Sequence, residues 1–143
     1  MPLWTIHHTP GVFTETDKQQ LASRITDYYE TAGLPRFYVV AVFNEVTPQN
    51  MYVGGEPTRV SVRIVIDHIA RRSADSEHRR RIARFVKSIV EPFVTPHDGM
   101  HWEFHIDETS EELWMINGLV PPPGGSDAER QWAAANSTRP DGA

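Results

Sequence analysis

Cysteine is absent from all 143 residues. That removes disulfide bridges, thiolate nucleophiles and thiolate metal sites, and it suits a reducing compartment. No apolar run approaches the roughly 18 residues that a membrane span requires, so no membrane association is expected. The amino terminus has no basic start ahead of an apolar stretch, the pattern of a secretion signal, and a cytoplasmic location is expected. An excess of positive charge is missing too. Fourteen Lys and Arg against 19 Asp and Glu leave a net charge of −5, which argues against a nucleic-acid partner.

What remains is an ordinary globular composition, 39% hydrophobic and 23% charged, in a length that suits one domain. Leu3 to His8 in "MPLWTIHH" is β-prone and partly alternating, and Pro2 is tolerated where a strand starts because no ladder donor is needed there. Thr14 and Asp17 form a capping-box pattern, and Leu21, Ile25, Tyr28 and Ala32 recur at helical spacing until Gly33 and Pro35. The β-branched and aromatic run from Arg36 to Phe43 predicts a strand covered on both faces. Around Gly54 and Gly55, "TPQNMYVGGEPT" has the make-up of a loop or small hairpin.

In the second half, Val60 to Ile69 alternates with Val60, Val62, Ile64, Ile66 and His68 on one face. A helix is predicted next, capped by Ser73 or Ser76, striped by Ile82, Phe85, Val86, Ile89 and Phe93, and ending near Pro92. "MHWEFHI" then alternates Trp102, Phe104 and Ile106 against His101, Glu103 and His105. "SEELWMING" suggests a short helix, "SDAERQWAAA" one or two more helical turns, and "NSTRPDGA" a disordered end.

These elements define an α+β fold. Two βαβ units, 1–45 and 59–107, build a four-stranded core sheet with both helices on one face, inside a domain of residues 1–125. Residues 126–143 form a partly disordered C-terminal extension. The other sheet face is left bare, and its apolar content points to an oligomer.

Five positions carry candidate chemistry. Removal of Met1, usual before a small residue, would expose the Pro2 nitrogen as a secondary amine able to act as a base. Arg71 and Arg72 stand just before a helix, where cations oppose the macrodipole and an anion would justify them. Tyr29 lies one residue off the buried stripe, and Trp114 could wall a pocket. His101, Glu103 and His105 share a strand face, but alternating polar residues there more simply face water, and no metal is assigned.

The opening proline on a strand, the two βαβ halves, "ITD" in the first helix, the Gly54–Gly55 connector, "RSAD" from Arg72 to Asp75 and "LVPPPG" near the end together resemble the tautomerase superfamily. The resemblance is to its cis-3-chloroacrylic acid dehalogenase-like branch. It implies a homotrimer, a catalytic amino-terminal proline, carboxylate-binding arginines and no cofactor. In the dehalogenases a histidine, a tyrosine and a water-activating glutamate stand where this chain has Tyr29, Phe104 and Met115. The implied activity is therefore a cofactor-independent tautomerase acting on a small carboxylate-bearing enol or 2-keto acid. The alternatives are a dehalogenase or hydratase of a 3-haloacrylate-like acid, and a binding or assembly protein that retains the fold.

Overall fold

The computed structural model describes residues 1–138. In chain order the regular elements are β1 (Pro2–His8), α1 (Glu15–Thr31), β2 (Val40–Glu45), β3 (Tyr52–Val53), β4 (Glu56–Pro57), β5 (Ser61–Ile69), α2 (Ser76–Val94), β6 (His101–Thr109) and α3 (Asp127–Ala135). Four strands form one sheet in the order β2-β1-β5-β6. Each outer strand runs parallel to its inner neighbour, β1 and β5 are antiparallel, and β3 and β4 make the small hairpin around Gly54 and Gly55. The α+β reading with two βαβ units on one sheet is therefore correct.

One face of this sheet holds the core. Trp4 and Ile6 of β1 and Val62, Ile64 and Ile66 of β5 are fully buried against Leu21 and Ile25 of α1 and Val86 and Val90 of α2. Each such aliphatic side chain contributes about 1.5–3 kcal/mol on leaving water. The Thr14 capping box forms as expected, with its hydroxyl accepting from the Asp17 N–H and the Asp17 carboxylate accepting from the Thr14 N–H.

Three local expectations need correction. Arg36 to Tyr38 form a 3-10 turn after Pro35, because the Tyr38 and Val39 N–H groups bond back to Pro35 and Arg36 and so never join a ladder. The strand starts only at Val40, and it is an exposed edge rather than a covered centre, with Val40 and Val42 at 40% and 45% exposure. The cap of α2 is Asp75, and its buried stripe is Val86, Val90, Phe93 and Val94. Phe85 instead stays half exposed and stacks on Tyr28 at 5.5 Å.

The opposite sheet face carries Leu3, Thr5, Val40, Val42 and Val65 in one part and Arg63, Glu103, His105 and Asp107 in the other. No element among the described residues covers it. Beyond β6 the expected short helix is a single 3-10 turn, Glu111–Leu113, and Asn117 and Gly118 adopt left-handed backbone to close the Ile116–Leu119 bridge. Helix α3 is capped by Ser126, and its Trp132 faces Phe37 and Tyr38. Asn136 Oδ1 accepts from the Phe37 N–H. Of the tail read as disordered, residues 139–143 lie outside the described residues.

Candidate active site

The site grows from the antiparallel pairing of β1 with β5, which sets Pro2 directly opposite His68 on the core face. Tyr29, in the last turns of α1, reaches down to the same point: contrary to the expected stripe, it and not Tyr28 continues the buried row of Leu21 and Ile25, and Ala32 is exposed. The Tyr29 hydroxyl lies 2.6 Å from His68 Nε2 and 3.0 Å from Trp4 Nε1. An indole nitrogen only donates, so the phenol oxygen accepts from Trp4, while the direction of its bond with His68 Nε2 follows the tautomer of that ring. Burial, followed by the charge of the terminal amine, lowers its pKa from 6.5 to about 4. Burial also pushes the Tyr29 phenol well above its ordinary value.

The chain start is drawn into the same place. The Met1 amine donates to the Ile69 carbonyl, and the Ile69 N–H returns a bond to Met1 at 2.8 Å. Burial, reinforced by the Arg71 charge and opposed by Glu129, lowers this amine from 8.0 to about 5. That amine belongs to Met1; while Met1 is attached, the Pro2 nitrogen is an amide without basicity.

The turn after β5 supplies the charge. Ala70 takes a left-handed φ of 65°, unusual for a residue with a Cβ, and its N–H is tied to Thr109 at 3.0 Å. Arg71 then folds back, donating from Nη1 to the Ala70 carbonyl at 2.8 Å and from Nη2 to Glu129. Among the described residues Arg72 has no ion pair or hydrogen bond. Ser73 donates its N–H to Glu108 at 2.8 Å, and Glu108 also pairs with Arg79. Pro2, Tyr28, Tyr29, His68, Arg71 and Arg72 all line one cavity of about 260 Å³, small enough to suit a small organic acid.

The structure thus brings together Pro2, Tyr29, Arg71 and Arg72, four of the five residues singled out by sequence. Trp114 stands elsewhere, buried edge-on against Tyr38 at 5.0 Å and outside the cavity lining. Met115 is 67% exposed and also outside it. On the bare face, His105 meets Arg63 and Asp107, while Glu103 meets Arg63 and His101. Sequence reasoning missed two participants. His68 was read as one more inward residue of a strand, although its register opposite Pro2 follows from pairing the two inner strands. Glu129 is almost fully buried and gave no local signal, because its partner is 58 positions away.

The family model described as "Putative oxalocrotonate tautomerase enzyme" matches residues 1–137. Native RhCC from Rhodococcus jostii RHA1 is 42% identical, with 94% of this chain and 96% of that chain covered and a TM-score of 0.88. A probable enzyme from the thermophilic fungus Aspergillus fumigatus is 36% identical over 96% of this chain and 95% of its own, with a TM-score of 0.89. N1, a member of the cis-3-chloroacrylic acid dehalogenase family, shares the fold at 16% identity and a TM-score of 0.69, covering 92% of this chain and 90% of its own. Among curated proteins no sequence matches the chain.

Proposed function

The chain belongs to the oxalocrotonate tautomerase-type family that matches it over residues 1–137, and from that premise we propose that its cavity moves a proton between oxygen and carbon in a small carboxylate-bearing enol or 2-keto acid. Pro2, freed by removal of Met1, is the acid and base in this reading, and no cofactor is used. Its neutral nitrogen takes the enol hydroxyl proton as the oxygen's electrons close the carbonyl. The former double bond then takes the same proton back at carbon. Nothing is oxidised or lost, so the reaction is an isomerisation.

Arg72 binds the substrate carboxylate, bidentately where geometry allows. His68, kept neutral by burial and bonded to the Tyr29 hydroxyl, faces the reacting oxygen from the neighbouring strand. The observation that carries this reading is the placement of Pro2 and the uncommitted Arg72 guanidinium in the lining of one cavity, at a chain start where burial lowers the Met1 amine. The dehalogenase alternative needs an activated water, and exposed Met115 offers no base for it.

Assembly belongs to the same proposal. The bare sheet face, apolar in its β1–β2 part, suits burial against further copies in a homotrimer, and the fused 4-OT relative with this fold is named as a symmetric trimer. Light scattering should return three times the chain mass; a stable monomer at micromolar concentration would remove that part. For the chemistry, the untagged protein, its Met1 removal verified by intact mass, should ketonise phenylenolpyruvate. Pro2→Ala should lower the rate by about a hundredfold or more, the usual contribution of a positioned acid or base. Ketonisation surviving in the variant would reduce Pro2 to the start of a strand.

A further inference from the structure

Two guanidinium groups line the cavity, yet they are not equivalent. The Arg71 head group lies against the C-terminal segment. Gly124 lies so close that a Cβ there would sit 2.6 Å from Arg71 Cζ, so the backbone lies against the guanidinium. Glu129 then takes Nη2, while the Gly125 N–H holds the second oxygen of the same carboxylate at 2.7 Å. The Glu129 side chain is 5% exposed, against 32% for Arg71. A carboxylate so enclosed does not exchange freely for another. Arg72, its neighbour in sequence, is exposed and free of any partner among the described residues.

We propose that Glu129 is a specificity-determining residue: it serves as a built-in carboxylate for Arg71, leaves Arg72 as the one uncommitted guanidinium of the cavity, and restricts the site to acids with a single carboxylate. This deepens the tautomerase reading by naming the charge class of its substrate, and it rests on that reading for the use to which the cavity is put. The surrounding charges agree. Arg79 is occupied by Glu108, and Glu108 also takes the Ser73 N–H. A second carboxylate entering the cavity would meet Arg71 already neutralised and Glu129 behind it, and it would have to be desolvated without a partner. The rigidity of the clasp comes from α3, whose Trp132 packs on Phe37 and Tyr38 and whose Asn136 is bonded to the Phe37 N–H.

The test separates charge selection from catalysis by using acids that do not react. Calorimetric titration of the intact protein with hexanoate and with hexanedioate gives two dissociation constants. The native protein should bind the dianion no more tightly than the monoanion. Glu129→Gln, which keeps the shape and removes the charge, should raise the relative affinity for hexanedioate at least tenfold. Adding Arg71→Gln to that variant should return the ratio to the native value. An unchanged ratio in Glu129→Gln would overturn the proposal, as would a native protein that already binds hexanedioate ten times more tightly. That last comparison needs no variant, so the idea stays testable if Glu129→Gln folds poorly. Failure of ketonisation with the selectivity intact would instead sink the proposed activity alone.

Discussion

Two buried histidines occupy matching places in the two halves of this molecule, and their surroundings could hardly differ more. The register that sets Pro2 opposite His68 also sets His8 opposite Val62, so His8 ends one inner strand, His68 stands one residue before the end of the other, and both point into the core face. Past His8 the chain continues through Val12 and Phe13, which fold inward. Phe13 meets His8 at 5.1 Å and Phe43 at 5.5 Å, and that end of the sheet is closed. Past His68 the chain turns at Ala70 into Arg71 and Arg72, which cannot be buried together, and that end stays open. The scaffold is used twice; the residues that follow each strand decide which copy becomes a plug and which a cavity.

The strongest way to break this comparison is to remove the plug. Phe13→Ala should destabilise the protein by about 3–5 kcal/mol, as for other buried aromatic truncations, while leaving carboxylate binding at the far end in place. Denaturant unfolding and calorimetric titration read the two effects separately. A loss of affinity as large as the loss of stability would mean that the two ends are not independent.

Titration sharpens the same contrast from the open end. Below the ordinary histidine value of 6.5 the unfolded chain takes up a proton that folded His68 refuses until about pH 4. Across that window the unfolded state binds more protons, so stability falls as the pH drops, by about 3 kcal/mol in all, and rises again on return to neutrality. His68→Gln should flatten that part of the curve. If the slope survives the substitution, another group is responsible.

Arg72→Ala should weaken a carboxylate ligand by about 1.5–3 kcal/mol, the range for a charged hydrogen bond, with stability scarcely altered. Unchanged affinity would mark Arg72 as a solvated surface charge. The smallest effect concerns the helix caps, which the two halves also duplicate. Thr14→Ala and Asp75→Ala should each cost about 1 kcal/mol in thermal or chemical unfolding. Only the second should also alter affinity in the cavity, because Asp75 caps the helix that follows the arginine turn.

Much of this was open to sequence reasoning. The capping box at Thr14, the alternation in β5 and the glycines of the hairpin are local patterns, each with a local physical cause, and the structure contains all three. Pro2, Arg71 and Arg72, singled out for a removable methionine ahead of a proline and for paired cations before a helix, line one cavity. What failed were features decided at a distance. The run from Arg36 to Phe43 looks like a covered strand until Tyr38 is drawn under Trp114 and Trp132, residues far along the chain. The stripe of α2 shifted by a position because Phe85 found Tyr28 rather than the sheet. Glu129 reads as an ordinary helix-start acid until Arg71 is placed beside it.

The contact of Glu129 with Arg71 also divides the chain. The four-stranded sheet and the two large helices are complete by Thr109. The wall behind Arg71 comes from residues 124–129, beside α3 with its Trp132 and Asn136 contacts. A chain ending before residue 124 would therefore contain every strand of the sheet and lack the carboxylate that neutralises Arg71.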